Sequence, residues 1–188
     1  LPPKQQKAGF VGPPAGPEVC IMNENGEVLK QGDEGEVCIK GENVTVGYDN
    51  NEEANKTSFT NGWFRTGDQG YFDKEGYLKI SGRLKEIINK GGEKISPLEV
   101  DNVLMDHPFI DQAVCFGYDD KMLGENIASA IIIKSGETCS ENDVLKYAQE
   151  KLAKFKIPKK IFFVEEIPKG ATGKLQRNVL AKKFGLNN

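Results

Sequence analysis

The chain has 188 residues, 38% of them hydrophobic, and a formal net charge of −3 from 25 basic and 28 acidic side chains. That is long enough for one or two globular domains with real cores and too apolar for a disordered or fibrous chain. No apolar run approaches the roughly 20 residues that a membrane helix needs, and no charged segment followed by an apolar stretch opens the chain as a signal peptide would.

The expectation is therefore a soluble intracellular protein. The opening LPPKQQKAGFVGPPAGPE has no initiator methionine and is rich in Pro and Gly, which suggests a piece of a longer polypeptide. Residues 18 to 82 then carry short alternating runs, EVCIMN, EVLKQ, GEVCIKG, WFRTGD, GYFD and YLKISG, punctuated by Asn25-Gly26, Gly32, Asn61-Gly62 and Lys74-Glu75-Gly76. This pattern predicts a small antiparallel β unit. One helix interrupts it at about 51 to 59, where Asn51 is placed to cap.

The pattern changes after Gly82. KEIINKGGEKI predicts a hairpin turning at Gly91-Gly92, and SPLEVDNVLMDH predicts a helix with Ser96 as cap, Pro97 at the first position and Glu99 closing a capping box. Strands follow at DQAVCFG and NIASAIIIK. A helix from Ser140 to near Leu152 sets Val144, Leu145, Ala148 and Leu152 on one face. The strand KIFFVEE, the loop PKGATGK and a helix from about Leu175 to Phe184 complete an α+β domain. The boundary is placed at Gly82-Arg83-Leu84-Lys85, giving domains 1–82 and 83–188.

Cys20, Cys38, Cys115 and Cys139 form no C-x-x-C pair and read as free thiols, the first three in apolar strands. The sequons at Asn43 and Asn55 matter only in a secreted protein. The single His107, in DHP, reads as structural, and no residue is assigned to a metal.

Charge is uneven. Residues 1 to 82 hold 8 basic and 13 acidic groups, whereas 151 to 183 concentrates 10 basic groups against Glu165 and Glu166. Such a run is either a solvated face or an anion site. With no interleaved aromatic platform, a phosphorylated small molecule fits better than nucleic acid. In PKGATGKLQR, Gly173-Lys174 suggests a phosphate loop, but a Walker A motif needs Gly where Pro168 stands and a hydroxyl where Leu175 stands. In FRTGDQG, Asp68 follows a tight Thr66-Gly67 turn. It reads either as a turn cap or as an exposed carboxylate able to accept from both hydroxyls of a ribose. Arg83, directly after the strand YLKISG, is placed to reach the same site from the boundary.

The combination of GWFRTGD at 62–68, GYLKISGRLKEIINKGGEKISPLEVD at 76–101 and PKGATGKLQR at 168–177 closely resembles the adenylate-forming acyl-CoA synthetase superfamily. GFVGPPAGPEV and GEVCIKGENVTVGYDNNEEA are similar to the last β subdomain of that family's large N-terminal domain, and the residues after Gly82 to its mobile C-terminal domain.

The resemblance implies an AMP-forming acid–thiol ligase: a carboxylate attacks the α-phosphate of ATP, and CoA then displaces AMP from the acyl-adenylate. It further implies that Lys174 bridges the carboxylate and α-phosphate in the first step, Asp68 holds the ribose hydroxyls with help from Arg83, and Lys85 is the hinge. Gly91 and Gly92 would lie beside the pantetheine arm of CoA. Mg2+ is implied with ATP, with no ligand assigned in this chain. The missing N-terminal domain would be the partner, and the fragment alone is expected to be inactive.

INKGGEKISPLEVD and GENVTVGYDNNEEAN are most similar to the oxalate-CoA ligase group of plants and fungi, although Gly170 stands where that group would carry Thr. The alternatives are a medium-chain or aromatic acyl-CoA ligase, a luciferase-like or peptide-synthetase adenylation domain, and a non-catalytic binding module. The terminal GLNN is not a Ser-Lys-Leu peroxisomal address, so a cytoplasmic location is expected over a peroxisomal one.

Overall fold

A computed structural model describes residues 6–169 and 175–187. It divides into two units, 1–85 and 86–188. The division falls between Lys85 and Glu86, three residues beyond the position chosen from sequence punctuation, because the last strand of the first unit continues through Arg83. Glycine at 82 does not stop it: Gly82 still pairs in the ladder, with Gln69.

In the first unit, β1 (Glu18–Met22), β2 (Gly35–Lys40), α1 (Glu52–Ser58), β3 (Phe59–Thr60), β4 (Trp63–Phe72) and β5 (Leu78–Arg83) follow in order. The five strands form one antiparallel sheet, β1-β2-β4-β3, with β5 also paired to β4. α1 begins where the capping chemistry predicts, with the Asn51 side chain accepting from the Ala54 amide at 3.1 Å. Two expectations change. WFRTGD and GYFD are one continuous strand rather than two, and EVLKQ contributes only an isolated bridge between Val28 and Met22. The core is small: Ile21, Val37 and Leu78 are buried, with Val19, Leu29, Phe72 and Ile80 packed around them.

The second unit runs β6 (Ile88–Lys90), β7 (Glu93–Ile95), α2 (Pro97–Met105), β8 (Ile110–Asp120), β9 (Gly124–Ile133), α3 (Glu141–Lys151), β10 (Lys160–Phe163) and α4 (Arg177–Lys183). β9 is the hub: β8 pairs antiparallel along its length, β10 lies parallel to it, and β6 meets it at Gly124. Alternation along β8 and β9 divides their side chains between two layers. Ala113, Cys115, Ile127 and Ile131 join Val100 and Leu104 of α2 and Val144 and Ala148 of α3. Val114, Phe116, Ala128 and Ala130 join Leu180 and Ala181 of α4. Each fully buried Ile or Leu contributes about 1.5–3 kcal/mol, so the sheet is stabilised from both faces.

The capping box predicted for α2 is not formed. Ser96 is the N-cap residue but makes no side-chain capping bond, and Glu99 instead accepts from Lys156, at 2.7 Å to each oxygen. An ammonium 57 residues away competes better for Glu99 than a neutral backbone amide does. A capping box is present at α3, where Ser140 and Asp143 satisfy each other's backbone amides. His107 is buried with its ring against Phe109 and Tyr147, and its Nδ1 accepts from the Phe109 amide. No described helix is long and apolar enough to cross a membrane.

Candidate functional site

In the first unit the site is built on a bulge. β2 and β4 pair at Cys38–Arg65 and again at Glu36–Gln69, so residues 66–68 of β4 stand opposite Val37 alone. A bulged strand leaves backbone groups without ladder partners and re-aims its side chains. Side chains supply the missing partners here. Thr66 Oγ1 donates to the Val37 carbonyl at 2.7 Å and accepts from the Asp68 amide at 3.1 Å. Glu36 Oε1 accepts from the Gly67 amide at 2.9 Å, while its Oε2 accepts from Arg65 Nε at 2.7 Å. Gly67 has φ +74°, a conformation that favours glycine at this turn.

Asp68 emerges from this turn half-buried and opposite Arg83 in the β4–β5 ladder. Arg83 Nε lies 2.8 Å from Asp68 Oδ1, and the arginine side chain is 61% exposed. The structure thus brings together the two residues expected at one nucleotide site, both within the first unit. A carboxylate has about four lone-pair positions, so one ion pair does not exhaust its capacity to accept.

Lys85 is exposed in a 3-10 turn at Leu84–Glu86, the last residue of the first unit. Gly91 and Gly92 form the two-residue turn between β6 and β7, with φ +63° and +96°. Positive φ at both positions is what a type I′ hairpin requires, and turn geometry alone accounts for two glycines. Crowding adds to this at Gly91, where a Cβ would lie 3.2 Å from Leu123 Cδ2, whereas at Gly92 it would meet open space. Beside them, the Lys90 ammonium donates to the Phe155 carbonyl at 3.0 Å, and burial together with the nearby Lys159 cation pushes it below the ordinary lysine range.

Lys174 lies outside the described residues. The structure gives the arginine three residues on from it a role that the sequence did not reveal. Arg177 is 10% exposed at the start of α4; its guanidinium holds Asp101 of α2 at 2.6 Å, Glu86 at 2.8 Å and the Cys115 carbonyl of β8 at 2.9 Å. Burial works against this cation, but Asp101 and Glu86 outweigh it and raise its affinity for its proton. Burial raises the Asp101 carboxyl, with Arg177 and the Cys115 amide pulling the other way. Part of the basic 151–183 run is therefore engaged within the protein: Arg177 pairs with buried Asp101, Lys156 with Glu99, and the exposed Lys160 lies over the Tyr118 ring.

All four cysteines are free thiols, and burial pushes Cys38 up to about 12 and Cys115 well above the ordinary thiol range. Neither is activated as a nucleophile. Among the described residues no group of three or more His, Cys, Asp and Glu side chains is arranged to hold a metal ion.

Residues 99–174 match the AMP-binding enzyme C-terminal domain family. The chain is 52% identical over 186 residues to oxalate–CoA ligase of Saccharomyces cerevisiae, covering 98% of this chain and 34% of that enzyme. It is 52% identical over 178 residues to oxalate–CoA ligase of Arabidopsis thaliana, covering 95% of this chain and 35% of that one. Among solved structures, o-succinylbenzoate CoA synthetase from Bacillus subtilis, in complex with the acyl-adenylate intermediate OSB-AMP, superposes with a TM-score of 0.85 at 39% identity, covering 93% of this chain and 36% of that one. The chain spans about a third of the length of the curated relatives it matches. It belongs to the adenylate-forming, AMP-binding ligase superfamily and carries that superfamily's C-terminal domain.

Proposed function

We propose that this chain is the C-terminal part of an AMP-forming acyl-CoA ligase that activates oxalate. The observation that carries the reading is its 52% identity, over nearly all its length, to oxalate–CoA ligases. In the reaction an oxalate oxygen attacks the α-phosphorus of ATP, the bond to pyrophosphate breaks, and oxalyl-adenylate forms. The CoA sulfur then attacks the oxalyl carbonyl, its proton is lost, and AMP leaves.

Asp68 accepts hydrogen bonds from the ribose hydroxyls, with the carboxylate oriented by Arg83. Lys174 supplies a positive charge between the carboxylate and the α-phosphate, where two anions must approach and negative charge develops. A lysine suits this role because a long stem can deliver a point charge and withdraw it. Lys85 is the pivot between half-reactions, and the Gly91-Gly92 turn leaves room for the pantetheine arm. Magnesium accompanies ATP as the nucleotide's counter-ion. The location is cytoplasmic, and the protein works with a larger N-terminal domain that supplies the rest of the nucleotide site, so the 188 residues alone release no AMP.

The test uses the full-length protein that contains this chain. Pyrophosphate release is measured with oxalate, 2-succinylbenzoate, medium-chain and aromatic acids, and CoA is then added. Release driven by oxalate, lost in Lys174→Ala and followed by an oxalyl thioester, is the expected result. Release driven by 2-succinylbenzoate instead would favour the reaction of the structural neighbour, and no release with any acid would leave a binding module as the better account. A transferable adenylate with no thioester formed would point to a carrier-protein or oxygen-dependent relative.

A further inference from the structure

We infer that Glu36, with Thr66, is a positioning residue for the nucleotide ribose, acting through Asp68. The inference rests on the proposed role of Asp68 and goes beyond it, because the resemblance assigns no role to Glu36 or Thr66.

The reason lies in how the bulge is held. Asp68 pairs with Arg83 on the β5 edge, but on the β2 edge residues 66–68 face a single residue, so that side of the backbone around Asp68 is not fixed by regular strand pairing. Its direction is set instead by three side-chain bonds: Glu36 to the Gly67 amide, Thr66 to the Val37 carbonyl, and the Asp68 amide to Thr66. Glu36 is 7% exposed and cannot exchange these partners for water without opening the sheet. Arg65 closes the arrangement from the other side. Its Nη2 lies 2.5 Å from Glu36 Oε2, and the same guanidinium reaches the Asn23 carbonyl and Thr60 Oγ1 at 3.4 Å. One carboxylate thus ties the residue two before Gly67 to Gly67 itself, and the next residue in the chain is Asp68.

Moving either bond turns the 66–68 segment and with it the carboxylate that must meet two vicinal hydroxyls at once. A bidentate arrangement is sensitive to direction as well as distance, so small rotations cost ribose recognition before they cost folding. Arg83 meets the Asp68 carboxylate through a well-exposed side chain and does not replace the support from below.

The test compares ATP with 2′,3′-dideoxy-ATP in the full-length protein that contains this chain. Wild type is expected to prefer ATP, and Asp68→Asn to abolish that preference. In Glu36→Gln, where an amide replaces the charge facing Arg65, KM for ATP should rise about tenfold, the size of one charge-assisted hydrogen bond, while KM for the dideoxy nucleotide stays within about twofold. Thr66→Val, which deletes only the hydroxyl, should do the same, and provides the reading if Glu36→Gln does not fold. A merely structural role would weaken both nucleotides alike or lower the melting temperature without changing their ratio; either result overturns the inference. An unchanged ratio in Glu36→Gln and Thr66→Val, with the ratio lost in Asp68→Asn, refutes the inference alone. If Asp68→Asn keeps the preference, the ribose role of Asp68 falls and this inference with it.

Discussion

The two units each build a five-stranded sheet and bury one arginine–carboxylate cluster, yet they use these parts differently. In the second unit helices cover both faces of the β8–β9 pair, and the Arg177 cluster is a brace joining α4, α2, β8 and Glu86. In the first unit the buried hydrophobic cluster is far smaller, and the Arg65–Glu36 cluster holds an irregular turn rather than a packed interface. A buried ion pair therefore has no fixed meaning. Where apolar packing already fixes the elements it adds a specific anchor, and where packing is thin it sets the shape of a loop.

The sharpest way to break this contrast is Arg177→Ala. It leaves Asp101, 3% exposed, as a buried carboxylate without its cation, a change that costs about 3–5 kcal/mol when one partner of a buried pair is removed. Urea unfolding of the 188-residue chain should show the loss in the transition of the second unit, and a change under about 1 kcal/mol would mean that the brace is incidental. Next comes Leu104→Ala in the fully buried layer under β8, expected to cost about 2–5 kcal/mol. Leu29→Ala, on the partly buried margin of the first unit's core, should cost less than about 2 kcal/mol, since less apolar area is lost. Equal losses would erase the difference between the two cores.

A smaller effect, about 1 kcal/mol, is expected for Ser140→Ala at the capped start of α3, measured as a drop in unfolding midpoint. The last is a matter of pH. Hydrogen bonds from Asn126 and from the Met122 and Leu123 amides hold the Asp120 carboxyl down to about 2. Because that value lies below the unfolded one, the stabilisation is fully present above about pH 4 and is lost as pH falls toward 2. Asp120→Asn should flatten this part of the acid unfolding curve, and an unchanged curve would show that the carboxylate contributes nothing.

What was legible in the sequence was local. Asn51, Ser140, the Gly91-Gly92 turn and the apolar spacing of Val144 and Ala148 each act within a few residues, and each element formed where that chemistry placed it. Asp68 and Arg83 were also legible at one site, with Arg83 reaching it from the domain boundary, and the β4–β5 ladder sets them opposite each other. Partners distant in the chain are not legible in this way. Glu99 satisfies the spacing of a capping box but is taken by Lys156, and Arg177 looked like one more cation in a basic run although its partners lie at 86, 101 and 115. EVLKQ alternates as a strand should, but only one isolated bridge forms there. Glu36 carried no signal of its own, because its importance arises from a bulge on another strand.

The parallel placement of β10 has a consequence for the newborn chain. β9 ends at Ile133, and the strand that covers its far edge begins only at Lys160, after α3 has been made. At about 5–20 residues per second, the ribosome needs a few seconds to deliver that cover. During this interval the run Ile127–Ile133, without a single charge, can complete a hairpin with β8 but presents its other edge unpaired. The segment that crosses back to protect it is thus a timing element in synthesis, and lengthening it prolongs the period in which two unfinished copies can pair with each other.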